Sequence, residues 1–391
     1  MENTNPFLVE RMQAHRTSIF GRMSGLANEF GAINLGQGFP DTDGPEFVRQ
    51  AAIDAISEGR GNQYPPVHGV PELRQAIASH QQSFYDMDVD WQTEVVVTTG
   101  ASEALQSTFL ALIEPGDEVL IFEPWFDIYQ TGVALARGIT VGVPMDPETL
   151  RPNVSELESR ITSRSKVLLL NSPHNPTGIV FTRTELQTIA ATAIKHNLIV
   201  VSDEAYQHIW FDNHAHIPIA TLEGMHDRTV TIGSAGKSFS FTGWKVGWAI
   251  GPSELIAAVR TVRQHLTYVS SGPFQWAIAE GLQLEDSYWS EFRTEMQAKR
   301  DLLSSGLSHL GYRVIPSEGT YFVCTDIRPL GYFSGTEFCE TLIREHGVAA
   351  IPLSGLSGNA STYNHFVRWA FCKKPEVLND ALSRLAKKTV T

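Results

Sequence analysis

Cysteine is scarce in this chain: Cys324, Cys339 and Cys372 are the only three among 391 residues. They are too few and too scattered for a disulfide framework or a zinc site, and they read as buried thiols kept reduced in a cytoplasmic protein. Positive charge is also in deficit, with 30 Lys and Arg against 43 Asp and Glu and a net charge of −13. That balance argues against a nucleic-acid partner and against an anionic membrane surface. No run of about 18 apolar residues is present to span a bilayer. The start, Met1 to Glu10, lacks the basic and then apolar segments of a secretory leader. Internal repeats and low-complexity tracts are missing as well.

What remains is an ordinary globular composition, 42% hydrophobic and 19% charged, in a chain long enough for about two domains. Short β-branched runs alternate with helix-length amphipathic segments: Val95–Val97, Glu118–Phe122, Lys166–Leu170, Leu198–Val201, Thr229–Ile232 and Val246–Ile250, with helical patterns such as Thr184–His196 and Pro252–Thr267 between them. Strands alternating with helices predict an α/β domain around a mainly parallel sheet. From about Ser287 the texture becomes α+β. A long helical stretch leads to Thr320–Cys324, then a helix near Glu337–His346, strands at Val348–Ile351 and His365–Cys372, and a last helix with Val377, Leu378, Ala381, Leu382 and Leu385 on one face. The expected division is an N-terminal arm and part of the small domain over 1–45, a large domain over 46–286 and a small C-terminal domain over 287–391. The Gly/Pro-rich segment Gly36–Pro45 carries the arm across.

The most informative stretch is Gly233-Ser-Ala-Gly-Lys237-Ser-Phe-Ser-Phe-Thr-Gly-Trp-Lys245-Val-Gly247. Small residues around Lys237 leave room for a flat cofactor, and an amine in a partly desolvated pocket can form a Schiff base. Alone, the stretch is equally an exposed lysine in a Gly/Ser loop. A nucleotide-binding P-loop is excluded, because position 231, where that motif needs glycine, is Thr231.

Ser234-x-x-Lys237 followed by Gly243-x-Lys245-x-Gly247 resembles the cofactor-lysine motif of the class I/II aminotransferases, which carry pyridoxal 5′-phosphate. Asn171-Ser-Pro-His-Asn175-Pro-Thr-Gly178 is similar to the same family's Asn-Pro-Thr-Gly signature. The resemblance covers about Ile33 to Leu385. It implies a fold-type-I enzyme, with a large domain built on a mainly parallel seven-stranded sheet and a smaller α+β domain.

The resemblance also distributes roles. Lys237 is the cofactor lysine and general base. Gly100-Ala101-Ser102, between the Val95–Thr99 strand and the helix from Glu103 to Ile113, is the phosphate turn. A helix N-terminus and a glycine suit an anion there, although such a turn by itself is as readily an ordinary βα connection. Ser234 and Lys245 complete the phosphate set. Phe126, in preference to Trp125, stacks on the cofactor, the alternative being that both rings are core. Asn175 and Tyr206 donate to the ring oxygen, and Asp203 holds the ring nitrogen protonated; by itself a strand-end acid is often only a helix cap. His174 reads as a turn residue. Arg368, amid apolar residues of a strand, is costly to bury without an anion, and in the family it grips the substrate carboxylate. Gly38 brings its backbone near that carboxylate. Tyr64 reaches the phosphate of a neighbouring subunit, which makes the protein a homodimer with shared sites.

The implied activity is transfer of an amino group from an amino acid to a 2-oxo acid, with 2-oxoglutarate and glutamate as the expected pair, by a ping-pong cycle and without a metal. Leu35–Asp41 and Gly233–Gly247 look like the group that contains kynurenine, glutamine and methionine aminotransferases. Leu266–Val269, Gly319–Phe322, Asp326–Gly331 and Val348–Leu353 look closest to actinobacterial N-succinyldiaminopimelate aminotransferases of lysine biosynthesis. A β-lyase acting on cysteine conjugates would use the same lysine. Arg16, Arg22, Tyr129 and Tyr321 are the candidates for contacts to a distal carboxylate.

Overall fold

The apolar runs between residues 95 and 250 become strands of one sheet. In the computed structural model, which describes residues 5–387, a short strand β1 (Ile33–Asn34) precedes β2 (Val95–Thr98), β3 (Glu118–Glu123), β4 (Ile139–Pro144), β5 (Ser165–Asn171), β6 (Ile199–Asp203), β7 (Thr229–Ser234) and β8 (Gly247–Ile250). The last seven form one sheet in the order β2-β8-β7-β6-β5-β3-β4. All neighbours are parallel except β8, which runs antiparallel to both β2 and β7. β4 lies outside the runs read from the sequence.

Burial on both faces explains why the middles of β2, β3, β5, β6 and β8 are apolar rather than alternating. Val96, Val119, Ile121, Val167 and Leu169 face a core shared with Leu105, Phe109, Val133, Ile256 and Val259 from helices. Their neighbours Leu120, Phe122, Leu168 and Leu170 face a second core with Leu186 and Ile189, and Val95 and Val97 face a third with Leu73, Ile77 and Ile278. Each such side chain, fully buried, stabilises the fold by about 1.5–3 kcal/mol. The helix Arg183–Lys195 starts from a capping box in which Thr182 and Glu185 exchange hydrogen bonds, which fixes where the chain turns after β5.

Beyond residue 286 the long helix Asp286–His309 leads to β9 (Arg313–Ile315), β10 (Phe322–Asp326), β11 (Val348–Ala349), β12 (Ile351–Pro352) and β13 (Phe366–Ala370). Four of these make an antiparallel sheet in the order β12-β13-β10-β9. The segment expected as one strand, Val348–Ile351, is split: β11 pairs in parallel with β1, while β12 joins the four-stranded sheet. The helix expected near Glu337–His346 runs as an α-helix over Gly335–Thr341 and widens to a π-turn over Leu342–His346. The final helix, Pro375–Ala386, buries Leu378 and Ala381 and packs Leu382 and Leu385 against the same core. Met23, Ala27 and Leu35 from the N-terminal segment share that core. Positions 1–4 of the expected arm and 388–391 of the expected C-terminal unit lie outside the described residues. Among the described residues no helix is long and apolar enough to cross a membrane, and no group of His, Cys, Asp and Glu is placed to hold a metal.

Candidate active site

The strand order brings the end of β6, the end of β7 and the start of β8 to one rim of the large sheet, with the end of β2 beside them. Above that rim lies a cavity of about 420 Å³. Open α/β sheets bind ligands at this carboxyl rim, where loops diverge.

Lys237 stands in the single helical turn Ala235–Ser238 that follows β7. Its Nζ donates to the hydroxyl of Tyr321 at 2.9 Å and to the carbonyl of Gly38 at 3.4 Å, and the Tyr321 hydroxyl itself donates to Gly38 at 2.5 Å. Removal from water lowers the lysine's pKa to about 8, with Cys372 and Asp203 opposing and Lys245 and Arg368 reinforcing the shift. An amine so poised is partly unprotonated near neutral pH and can act as nucleophile and as base.

The helix Gly100–Leu112 begins at the cavity, and Gly100, Ala101 and Ser102 line it. No side chain caps this N-terminus, so its first amides remain available to an anion. Gly100 has φ +74°, and a Cβ there would come within 3.1 Å of Lys245 Nζ. Lys245 is itself left-handed, at φ 55°, a bend that turns it back over the helix start. Ser234 lines the same end. Glu103 anchors the turn from behind, accepting the amide of Thr99 at 2.5 Å.

At the other side Asp203 ends β6. Its carboxylate accepts from Tyr129 Oη at 2.8 Å and from the amide of Ala205 at 3.1 Å. Burial pushes the Asp203 carboxyl upward, and the Tyr129 hydrogen bond opposes it. Tyr206 lines the cavity, its ring edge-on to that of Tyr321 with centroids 5.2 Å apart. Phe126 is on the cavity wall, whereas Trp125 is core and donates its indole N–H to Gln130. His174 is buried against Thr177, 2.7 Å from its hydroxyl, as a turn residue.

Arg368 on β13 is 1% exposed. Its guanidinium lies 3.9 Å from the centroid of the Phe322 ring, donates to Asn175 Oδ1 and to the carbonyl of Gly36, both at 2.7 Å, and leaves Nε without a partner. Among the described residues no carboxylate forms an ion pair with it; Asp127, on the same cavity wall, acts on it by charge without a direct contact. Burial lowers its pKa to about 10. A buried cation with only neutral partners is costly until an anion arrives. Gly38 closes this end; a Cβ there would strike the rings of Phe322 at 2.5 Å and Tyr321 at 2.8 Å.

The cofactor and substrate residues implied by the resemblance therefore line one cavity except Tyr64, which is 78% exposed and packs edge-on against Tyr268. Of the candidates for a distal carboxylate only Tyr129 lines the cavity. Tyr129 spends its hydroxyl on Asp203 and Tyr321 on Lys237 and Gly38; Arg22 pairs with Glu340, and neither Arg16 nor Arg22 lines the cavity. Phe20, Gln37, Asp127 and Phe322 are cavity residues that sequence reasoning missed. Tyr129 had a usable signal, since it follows Phe126 by three positions at a helix start and so shares its face.

The donors fit pyridoxal phosphate on three observations. A buried carboxyl at Asp203 calls for a protonated ring nitrogen. The Gly100 cradle, which a Cβ would fill, faces Lys245 at an uncapped helix start. The orphaned Nε of Arg368 marks a place for a carboxylate.

Comparison with known proteins agrees. Residues 31–385 match the family model described as aminotransferase class I and II. The chain is 47% identical over 388 residues to a "probable N-succinyldiaminopimelate aminotransferase" of Mycobacterium tuberculosis, covering 97% of this chain and 98% of that one. It is 36% identical over 369 residues to the methionine aminotransferase of Escherichia coli, covering 94% and 95%. The solved structure of the M. tuberculosis N-succinyldiaminopimelate aminotransferase superposes with a TM-score of 0.95 at 48% identity, covering 97% of this chain and 99% of that one.

Proposed function

Since the chain belongs to the class I and II aminotransferases and is a pyridoxal-phosphate-dependent transaminase of fold type I, we propose that it takes an amino group from N-succinyl-diaminopimelate and passes it to 2-oxoglutarate, or the reverse, by a ping-pong cycle in lysine biosynthesis. The observation that carries the binding part is Arg368, a buried cation that lines the cavity and keeps an unpartnered Nε. The choice of donor rests on the 47% identity to the M. tuberculosis relative along nearly the full length of both chains.

When bound, pyridoxal phosphate carries the amino group between the half-reactions and accepts the electron pair left by the α-proton. Gly100, Ala101, Ser102, Ser234 and Lys245 would hold its phosphate, Phe126 one ring face, Asn175 and Tyr206 the ring oxygen, and Asp203 the ring nitrogen. Arg368 orients the substrate carboxylate through two parallel hydrogen bonds and so fixes which α-carbon bond faces Lys237. Lys237 Nζ then takes the α-proton, with Tyr321 setting its position. Tyr64, exposed on its own subunit, suits a contact to the phosphate of a second copy in a homodimer. The three buried free thiols and the acidic charge balance support a cytoplasmic location. Met23, Ala27 and Leu35 share a core with the segment beyond residue 286, which supports joining 1–45 to the small domain across a boundary near 286.

A second reading is a broad kynurenine, glutamine or methionine aminotransferase with cysteine-conjugate β-lyase side activity. It is favoured by 36% identity to the E. coli methionine enzyme and 34% to the rat kynurenine–oxoglutarate transaminase 3. Single-turnover absorbance decides: N-succinyl-diaminopimelate, glutamate, kynurenine and methionine are each mixed with the yellow enzyme and the bleaching rate is timed. Fastest bleaching by the succinylated donor, with glutamate active, supports the first reading; preference for kynurenine or methionine overturns it.

A further inference from the structure

Two buried ionisable side chains stand behind the aspartate strand and take no part in the chemistry above. Glu204 follows Asp203, and neither it nor His216 lines the cavity. One Glu204 oxygen accepts from Ser202 Oγ at 2.8 Å, and the other lies 2.8 Å from His216 Nε2. Both side chains are 1% exposed. An acid buried this deeply is retained only where its oxygens are satisfied.

The bond closes the segment 204–216 on itself, and that segment is anchored at both sides of the site. At its start the Glu204 amide donates to Ile232 of β7 at 2.9 Å, and the Asp203 carbonyl accepts from Asn171 Nδ2 at 2.8 Å. Midway, the Ile209 carbonyl accepts from Thr320 at 2.9 Å, and Phe211 donates to the carbonyl of Glu318 at 2.9 Å. Those last two contacts grip the turn that presents Tyr321 to Lys237. One closed segment thus carries Tyr206, adjoins Asp203 and seats Tyr321.

We infer that Glu204 and His216 form a buried clasp whose task is positional: it holds Asp203 and Tyr206 against the cofactor and keeps the Tyr321 turn docked on the lysine. The inference rests on the roles proposed above for Asp203 and Tyr206. Glu204 also acts by charge, adding to the causes that raise Asp203. Tyr85, 5.5 Å from the His216 ring, His208 and Arg293 face the same space. Burial raises the Tyr85 hydroxyl well above its ordinary pKa and lowers His208 well below its own, so neither changes charge near neutral pH.

The test uses the holoenzyme with four readings: the pH midpoint of the bound cofactor's absorbance change, kcat and KM, cofactor affinity, and thermal midpoint. Removing a nearby negative charge weakens proton binding at the site, so Glu204→Gln lowers the absorbance midpoint by about half a pH unit. It lowers kcat about tenfold while KM stays within about twofold, as expected of misplaced groups. His216→Leu follows Glu204→Gln in kcat, and His216→Gln, which keeps an N–H donor, recovers most of the loss. Parent-like midpoint and kcat in Glu204→Gln and His216→Leu, or a lower thermal midpoint with an unmoved absorbance midpoint, overturn the clasp. If Glu204→Gln fails to fold, His216→Leu and Ser202→Ala, which leave the carboxylate, are read by kcat and KM alone, with recovery in His216→Gln required and parent-like kcat in both overturning the clasp. Asp203→Asn separates the two levels. An unchanged spectrum there sinks the proposed site, whereas a changed one beside a parent-like Glu204→Gln sinks the clasp alone.

Discussion

Lys237 and Tyr321 lie 84 residues apart in the chain and meet with the lysine Nζ 2.9 Å from the tyrosine hydroxyl. Lysine donates and tyrosine accepts, while the tyrosine hydrogen goes on to Gly38. The reactive amine is therefore positioned by the turn before β10 and by the N-terminal segment as well as by its own strand. Replacing Lys237 by Ala lowers kcat by at least about 10⁴-fold, since nucleophile and base are lost together. The bound cofactor's absorbance also loses its response to pH. Residual turnover within a hundredfold of the parent would falsify this.

The lysine's lowered pKa has a consequence for the apoprotein. Its folded value of about 8 lies below the ordinary 10.5. Below pH 8 both states hold the proton and the folded state bears the cost; between 8 and 10.5 the unfolded state binds more protons, so stability rises with pH. Lys237→Met removes this cost of burying a charged amine, making the apoprotein more stable at pH 7 by roughly 1–3 kcal/mol, after discounting for the lysine's contact with the cavity. Chemical denaturation of both proteins at pH 7 and pH 10 checks this; a gap that fails to narrow at pH 10 contradicts it.

Arg368→Lys keeps the charge and loses the planar pair of donors. We expect kcat/KM for amino acids to fall about a hundredfold. Primary amines that lack a carboxylate should react at nearly the parental rate. Equal losses for both classes would mean that the residue is structural.

Tyr129→Phe deletes one hydrogen bond to Asp203 and little volume. Hydrogen bonds to charged groups contribute about 1.5–3 kcal/mol, so cofactor affinity should weaken by about tenfold or more. Titration of apoenzyme with cofactor measures this, and parental affinity would count against the Asp203 assignment.

Gly38→Ala places a methyl group against Phe322 and Tyr321. Overpacking of this kind costs about 1–3 kcal/mol. The expected result is a lower thermal midpoint together with a higher KM, because the same rings flank Lys237 and Arg368. A variant with parental values of both would show that the rings can move aside.

Strands β2, β3, β5, β6, β7 and β8 are legible because burial on both faces gives each a short run rich in apolar and β-branched residues, Thr229 and Thr231 standing among them in β7. β4 escaped because it is a part-exposed edge strand, broken by Gly142 and ending at Pro144. Splitting of Val348–Ile351 was not legible either: the run is apolar throughout, and only its partners, β1 on one side and β13 on the other, divide it at Ala350. The cavity residues were found where a motif marks the end of a strand, as at Asp203, Asn175 and Lys237. Contacts such as Lys237 with Tyr321, or Arg368 on Phe322, depend on how distant segments close together. No local pattern encodes them, and the hydroxyls of Tyr129 and Tyr321 meet Asp203 and Lys237 only through that closure.

The reversed strand β8 sets Gly247 between Thr98 and Ser234 in register. A strand running against its neighbours begins where they end, so a connection of twelve residues, 235–246, delivers both Lys237 and Lys245 without crossing the sheet. The molecule has in effect one working rim and one idle rim. Turns at the idle rim, around Asp117, Arg164 and Asn197, carry only connections, and insertions there are the ones this enzyme should tolerate with its turnover intact.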